Sequence, residues 1–279
     1  MMLVVLAMIA FAANSLLCRA ALKTTAIDAG SFTTIRLVSG AVALWLLVSL
    51  RRKGAGREGL LREGTWLSAL ALFAYAAGFS FAYIRLPTAV GALILFCTVQ
   101  VTMIGYGLWR GERLRPLQLA GLALALGGLV VLLLPGLSAP PVDAAALMVV
   151  AGIAWGIYSL QGKRFRNPTR ATAGNFLRAV PFTVVLSLLL RSAISLDPLG
   201  IVYAIASGAV MSGMGYAIWY AALPGLTATI AASVQLSVPV IAALGGIIFL
   251  SETMSLRLFL CSLAILGGIV LVIAGRRAK

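Results

Sequence analysis

The sequence predicts an all-α integral membrane protein, with ten transmembrane helices in two inverted five-helix repeats around a central cavity. Three observations carry this expectation. Of 279 residues, 62% are hydrophobic and only 10% charged, with a mean hydropathy of +1.07, which leaves too little polar surface to cover a soluble globule. The apolar residues fall in runs of about 20 without period-2 alternation, a pattern of membrane helices rather than barrel strands. The chain also repeats itself. Gly78-Phe79, Tyr83 and Leu86-Pro87 recur 137 residues later as Gly215-Tyr216, Tyr220 and Leu223-Pro224. Glu112 and Leu126-Gly127-Gly128 recur 140 later as Glu252 and Leu266-Gly267-Gly268, and Ile9-Ala10 through Ser15-Leu16 recur 144 later as Ile153-Ala154 through Ser159-Leu160. A unit with an odd number of spans places its second copy upside down, which is a transporter architecture.

The first repeat, residues 1–138, is expected to hold spans 3–22, 31–50, 65–84, 88–109 and 116–135. The second, residues 139–279, holds spans 143–162, 172–190, 199–221, 226–250 and 256–274. In span one, Ala10-Phe11-Ala12 imitates a signal-peptidase site, but no basic segment precedes it and its repeat partner lies in mid-chain, so the span is read as retained. The basic run from Arg51 to Arg62 parts spans two and three, and Arg110 to Arg115 parts four and five. The thinnest breaks are Leu86-Pro87 and Leu223-Pro224, where a proline turn alone divides two long apolar stretches. With the N-terminus in the cytoplasm, 15 Lys and Arg residues fall in inside segments and 5 in outside ones. This bias puts both termini in the cytoplasm, and only an even number of spans allows it.

The net charge of +15 therefore reads as topology, not as nucleic-acid binding. Cys18, Cys97 and Cys261 stand singly in apolar runs, and histidine is absent, so neither a metal site nor a cofactor is expected. The missing histidine also lowers the case for a membrane-embedded transferase, which would need a general base, paired carboxylates or a phosphate loop.

In inverted-repeat carriers the solute binds near the midplane between the halves. Polar and aromatic residues at matched places are thus the candidates. Phe79 and Tyr83 in span three answer Tyr216 and Tyr220 in span eight, four apart on one helical face, with Tyr75 a turn away. They form either a cavity wall or interhelical packing. Asn14 and Ser15 of span one match Tyr158 and Ser159 of span six, where Trp155 also stands, and offer neutral hydrogen-bonding groups. Gln100 and Gln235, in spans four and nine, must face other helices or a wet cavity rather than lipid. Pro239 is a candidate hinge. Gly127, Gly128, Gly267 and Gly268 permit close helix approach. Arg36 and Arg178 lie a few residues into spans two and seven: each either bonds a solute carboxylate, bonds a backbone carbonyl or snorkels to the interface. No acidic residue falls at mid-membrane, which argues against proton antiport and for passive alternating access.

Ten spans in two repeats, Leu-Pro before spans four and nine, Glu112 and Glu252 at their ends and Leu-Gly-Gly in five and ten resemble the EamA branch of the drug/metabolite transporter superfamily. More closely, the chain resembles YddG-type exporters of aromatic and neutral amino acids. The resemblance covers nearly the whole chain. It implies a bundle in the bacterial inner membrane, with spans one to four and six to nine around the cavity, five and ten at its edge, and export from the cytoplasm. Four-span relatives depend on an acid in the first helix. Here the matching stretch, Ala12 to Leu17, carries Asn14 instead. Other carrier classes remain alternatives: lipophilic drugs, nucleotide sugars or sugar phosphates.

Overall fold

The computed structural model describes residues 2–51, 63–111, 113–134, 139–162, 165, 167–222, 235 and 237–277. Among these, ten helical stretches follow one another: α1 (Met2–Thr24), α2 (Ala29–Arg51), α3 (Trp66–Tyr83), α4 (Thr88–Trp109), α5 (Pro116–Leu133), α6 (Val142–Gly162), α7 (Pro168–Leu189), α8, α9 (Ser237–Leu250) and α10 (Leu256–Arg277). The eighth has three parts: an α-helix Pro198–Ile205, a π-helix Ala206–Met214 and an α-helix Gly215–Ala222. Nine stretches are long and apolar enough to cross a bilayer, and α9 is a shorter apolar helix. The Leu223-Pro224 break and most of the first half of the expected ninth span lie outside the described residues. Pro239 is buried within α9.

Local chemistry fixes the ends. Thr65 caps α3 by accepting from the Ser68 amide, and Asp197 caps the first part of α8 by accepting from Gly200. Helix α7 begins at Pro168, four residues before the expected start. The Asn167 side chain accepts from the Arg170 amide and proline occupies the first turn, a combination that starts a helix whatever the local hydropathy. Asp28 accepts from the amides of Ser31 and Ser195, joining the α1–α2 and α7–α8 connections. Partial burial pushes its carboxyl up, but hydrogen bonds from Ser31 and from the Ser195 and Gly30 backbone outweigh this and hold it below its usual value.

The neighbours of each helix repeat between halves. Helix α1 packs on α8 and α9, just as α6 packs on α3 and α4, while α2 meets α7, α4 meets α9 and α5 meets α10. Exchanging the first five helices for the last five maps these pairs onto themselves. Glycine sets the closest crossings. A Cβ on Gly121 would lie 2.5 Å from the Gly268 carbonyl oxygen, and one on Gly268 would lie 2.5 Å from the Gly121 oxygen. A Cβ on Gly128 would lie 3.0 Å from that of Ala264, whereas Gly127 and Gly267 face open space. The Leu-Gly-Gly motifs thus place one glycine of each pair in the α5–α10 contact and turn the other away from it.

Leucine at Gly128 or Gly268 is expected to overfill that contact at a cost of about 1–3 kcal/mol, while leucine at Gly127 or Gly267 is tolerated. Thermal unfolding of the four variants in detergent, followed by size-exclusion chromatography, distinguishes the two pairs.

Candidate functional site

Helix α6 carries Gly152 and Gly156 four residues apart. Their Cβ positions would meet Thr98 at 2.6 Å and Thr102 at 2.8 Å of α4. This small-xxx-small seat brings the two backbones together. It turns Trp155, the residue before Gly156, toward the middle of the bundle, where its ring stacks on Tyr216 (5.2 Å, 23°) and Tyr158 (5.3 Å, 27°) and meets Tyr75 at 4.7 Å. Phe11 of α1 closes the opposite side against Tyr216 at 5.8 Å.

These rings wall a cavity lined by Phe11, Asn14, Ser15, Tyr75, Phe79, Leu95, Phe96, Trp155, Met211, Ser212, Tyr216 and Gln235. Its volume is only about 30 Å³. That is room for about two waters. Seven of the twelve expected binding residues meet here: Asn14, Ser15, Tyr75, Phe79, Trp155, Tyr216 and Gln235. The others lie elsewhere. Tyr83 is fully buried, its ring against Gly91 and its hydroxyl donating to the Thr88 carbonyl. Tyr158 stacks behind Trp155 with its hydroxyl 3.4 Å from Thr172. Ser159 donates to the Trp155 carbonyl of its own helix. Gln100 is half-buried on α4 away from the cavity, and the Tyr220 side chain is outside the described residues.

Repeat offsets explain the lining better than residue type does. Phe11 and Trp155 are 144 apart, Phe79 and Tyr216 137, Tyr75 and Ser212 137, and Leu95 and Gln235 140. The cavity therefore lies on the axis relating the halves. The 140 offset of the glutamates was enough to align Gln235 with Leu95 rather than with Gln100. Phe11 stands in the first repeat where Trp155 stands in the second.

A buried polar network crosses the cavity wall. Ser207 donates to Asn14 Oδ1 (2.5 Å), and Asn14 Nδ2 donates to the Tyr75 hydroxyl (3.4 Å), which also accepts from Arg36 Nη2 (3.2 Å). Ser207 and Ser212 both belong to the π-helix. Residues five apart would diverge by about 140° on an α-helix, and the wider winding brings them nearer one face.

Arg36 does not snorkel. It is 2% exposed, its guanidinium 4.9 Å from the Phe79 ring centre and 5.3 Å from that of Tyr75. A charge this deep costs about 3 kcal/mol on insertion scales. The two cation–π contacts offset about a third or more of that, at about 0.5–2 kcal/mol each. Arg178, its repeat counterpart, is committed differently: it donates to the carbonyls of Glu63 and Gly174 and lies over Trp66.

One end of the bundle is stitched shut. Glu252, between α9 and α10, pairs with Arg19 of α1 (3.4 Å) and accepts from the Thr88 amide at the start of α4 (2.8 Å). Arg19 also donates to the Tyr83 and Ile84 carbonyls, and Lys23 to that of Leu250. Glu252 thus holds three segments together rather than closing a single turn. Its repeat partner Glu112 lies outside the described residues.

Ten apolar helices in two similar halves around a narrow aromatic and polar cavity define a multi-pass membrane carrier of small molecules. Residues 143–274 match the EamA-like transporter family, and the chain belongs to that family. It is 55% identical over 279 residues to the uncharacterised protein PA1977 of Pseudomonas aeruginosa, covering 100% of this chain and 96% of that one. A solved crystal structure of a protein aligns over 99% of both chains with a TM-score of 0.70 at 21% identity, a likeness of fold.

Replacing Glu252 with leucine is expected to leave the part-buried Arg19 without its carboxylate and bonded only to the Tyr83 and Ile84 carbonyls, at a cost of about 1.5–3 kcal/mol. The double variant Arg19→Met, Glu252→Leu is expected to recover part of this. A double-mutant cycle of detergent melting temperatures measures the coupling, and additive losses would show that the pair is not coupled.

Proposed function

We propose that this transporter exports amino acids, aromatic and neutral ones, from the cytoplasm across the bacterial inner membrane by facilitated alternating access. The observation that carries the reading is the cavity itself. Its flat ring faces suit an apolar or aromatic side chain. Asn14, Ser15, Ser212 and Gln235 supply neutral donors and acceptors for a zwitterion, placed on the axis between the halves.

Among the described residues no carboxylate lines the cavity, and Asn14 stands where proton-coupled relatives are expected to carry an acid. This supports movement down a gradient rather than exchange for protons. A nucleotide sugar or sugar phosphate calls for several cations around two charges, whereas one arginine, Arg36, touches the wall.

The lysine and arginine bias supports cytoplasmic termini. On that orientation the Arg19–Glu252–Thr88 stitch closes the outer face. Residues 1–138 and 139–279 are then the two moving halves, with solute release requiring the stitch to part. Pro239 lies beside the cavity residue Gln235 in sequence and is the candidate hinge of the second half.

Purified protein in liposomes is expected to move radiolabelled phenylalanine and neutral amino acids saturably, with the same rate with or without a pH gradient. Trp155→Ala and Gln235→Ala are each expected to lower the rate about tenfold or more, equivalent to roughly 1.4 kcal/mol. Transport of a cationic drug or sugar phosphate with no movement of any amino acid would overturn the assignment.

A further inference from the structure

Among the described residues, the buried cation Arg36 has no carboxylate beside it. Arg36 has one hydrogen bond to a side chain, from Nη2 to the Tyr75 hydroxyl, while among the described residues its Nε and Nη1 have no acceptor. A guanidinium presents five N–H donors, and a buried charge without a partner is the costliest group a bundle can carry. The described carboxylates are all engaged elsewhere: Asp28 with Ser31 and Ser195, Glu63 with Arg170, Asp143 with Arg85, Asp197 with Gly200 and Glu252 with Arg19.

Two further groups beside it are unsatisfied in the same sense. The Tyr75 oxygen already receives N–H donors from Arg36 and Asn14, so its own proton is left to point at another acceptor. The Ser212 hydroxyl, buried in the π-helix and on the cavity wall, has no partner among the described residues. Tyr75 of α3 and Ser212 of α8 thus line one cavity with hydroxyl protons to give, and Arg36 of α2 bonds Tyr75 from behind that wall. What they lack is an acceptor bearing negative charge.

We propose that Arg36, together with the hydroxyls of Tyr75 and Ser212, receives a carboxylate of the transported solute. The carrier therefore selects carboxylate-bearing solutes over their amides and over simple amines. The inference rests on the exporter reading above and deepens it by naming the group recognised. In the tight cavity the guanidinium lies behind the Tyr75 and Phe79 rings, and the carboxylate reaches it as those rings part. Arg178, bonded to backbone carbonyls at the far end of α3, has no share in the site. A free halide has the same charge as a carboxylate, and the test separates the two.

The test compares phenylalanine with phenylalaninamide, phenethylamine and 3-phenylpropionate. It uses both transport in liposomes and thermal stabilisation of wild-type protein in detergent, in a chloride-free methanesulfonate buffer. The expected result is that the two carboxylates are recognised and the amide and amine are not. In Arg36→Gln that discrimination should fall roughly 10- to 100-fold, the range for losing a hydrogen bond to a charged group, and Arg36→Lys should regain part of it. Should Arg36→Gln fail to fold, wild-type stabilisation by phenylalanine but not by its amide carries the test alone. Equal recognition of acid and amide, or stabilisation by chloride equal to that by the acids, overturns the carboxylate site but leaves amino-acid export standing. Movement of 3-phenylpropionate but no amino acid, lost in Arg36→Gln, overturns the exporter reading and keeps the site. If no carboxylate is moved or bound, both fall.

Discussion

The close crossing of α4 and α6 is the contact on which the centre of this molecule depends. Two threonine side chains lie where the Cβ atoms of Gly152 and Gly156 would be, and no larger residue at those positions allows that approach. The crossing sets the depth of Trp155, and Trp155 in turn touches Tyr75, Tyr158 and Tyr216 from three different helices. Lipid supplies no hydrophobic drive for helices to associate, so small-residue contacts and interhelical hydrogen bonds must hold the bundle. The same device recurs between α5 and α10 through Gly121, Gly128 and Gly268, away from the cavity.

Around that centre the polar groups form two separate systems. One is structural and lies toward the ends of the helices: Glu252 with Arg19 and Thr88, Asp28 with Ser31 and Ser195, Arg178 with Glu63. There each charge meets a partner or a backbone carbonyl. The other lies inside, where Ser207, Asn14, Tyr75 and Arg36 join in one line that ends on a cation with two donor atoms unbonded among the described residues. In a medium without water, the paired charges near the ends differ from the inner Arg36, which meets no carboxylate among the described residues.

Much of this was legible in the sequence. The apolar runs and their charged or proline-bearing breaks expose the helices because a bilayer fixes their length. Recurrence at fixed offsets marks the halves, and seven cavity residues follow from matched polar and aromatic positions. What escaped did so for physical reasons. Helix α7 starts early because Asn167 and Pro168 form a cap that hydropathy does not register. Phe11 and Leu95 are plain apolar residues and gain significance only from the partners opposite them. Gly152 and Gly156 were readable as a small-residue pair. Arg36 and Arg178 look equivalent in the chain, and only the tertiary neighbours make one a backbone clamp and the other a buried charge. Ala206–Met214 is less apolar than its flanks, but small and polar residues alone do not specify the π-helical winding of α8.

The tightness of the cavity has a thermodynamic consequence. A cavity with room for about two waters must widen to take a larger solute, which would spend part of the contact energy and raise the apparent dissociation constant above the intrinsic one by the rarity of the widened form. Weak binding would then be a property of the equilibrium between forms rather than a sign of poor complementarity. Energy not retained as affinity cannot trap a cargo, and on the proposed transport cycle the ring cluster around Trp155 would be the contact that each passage has to part.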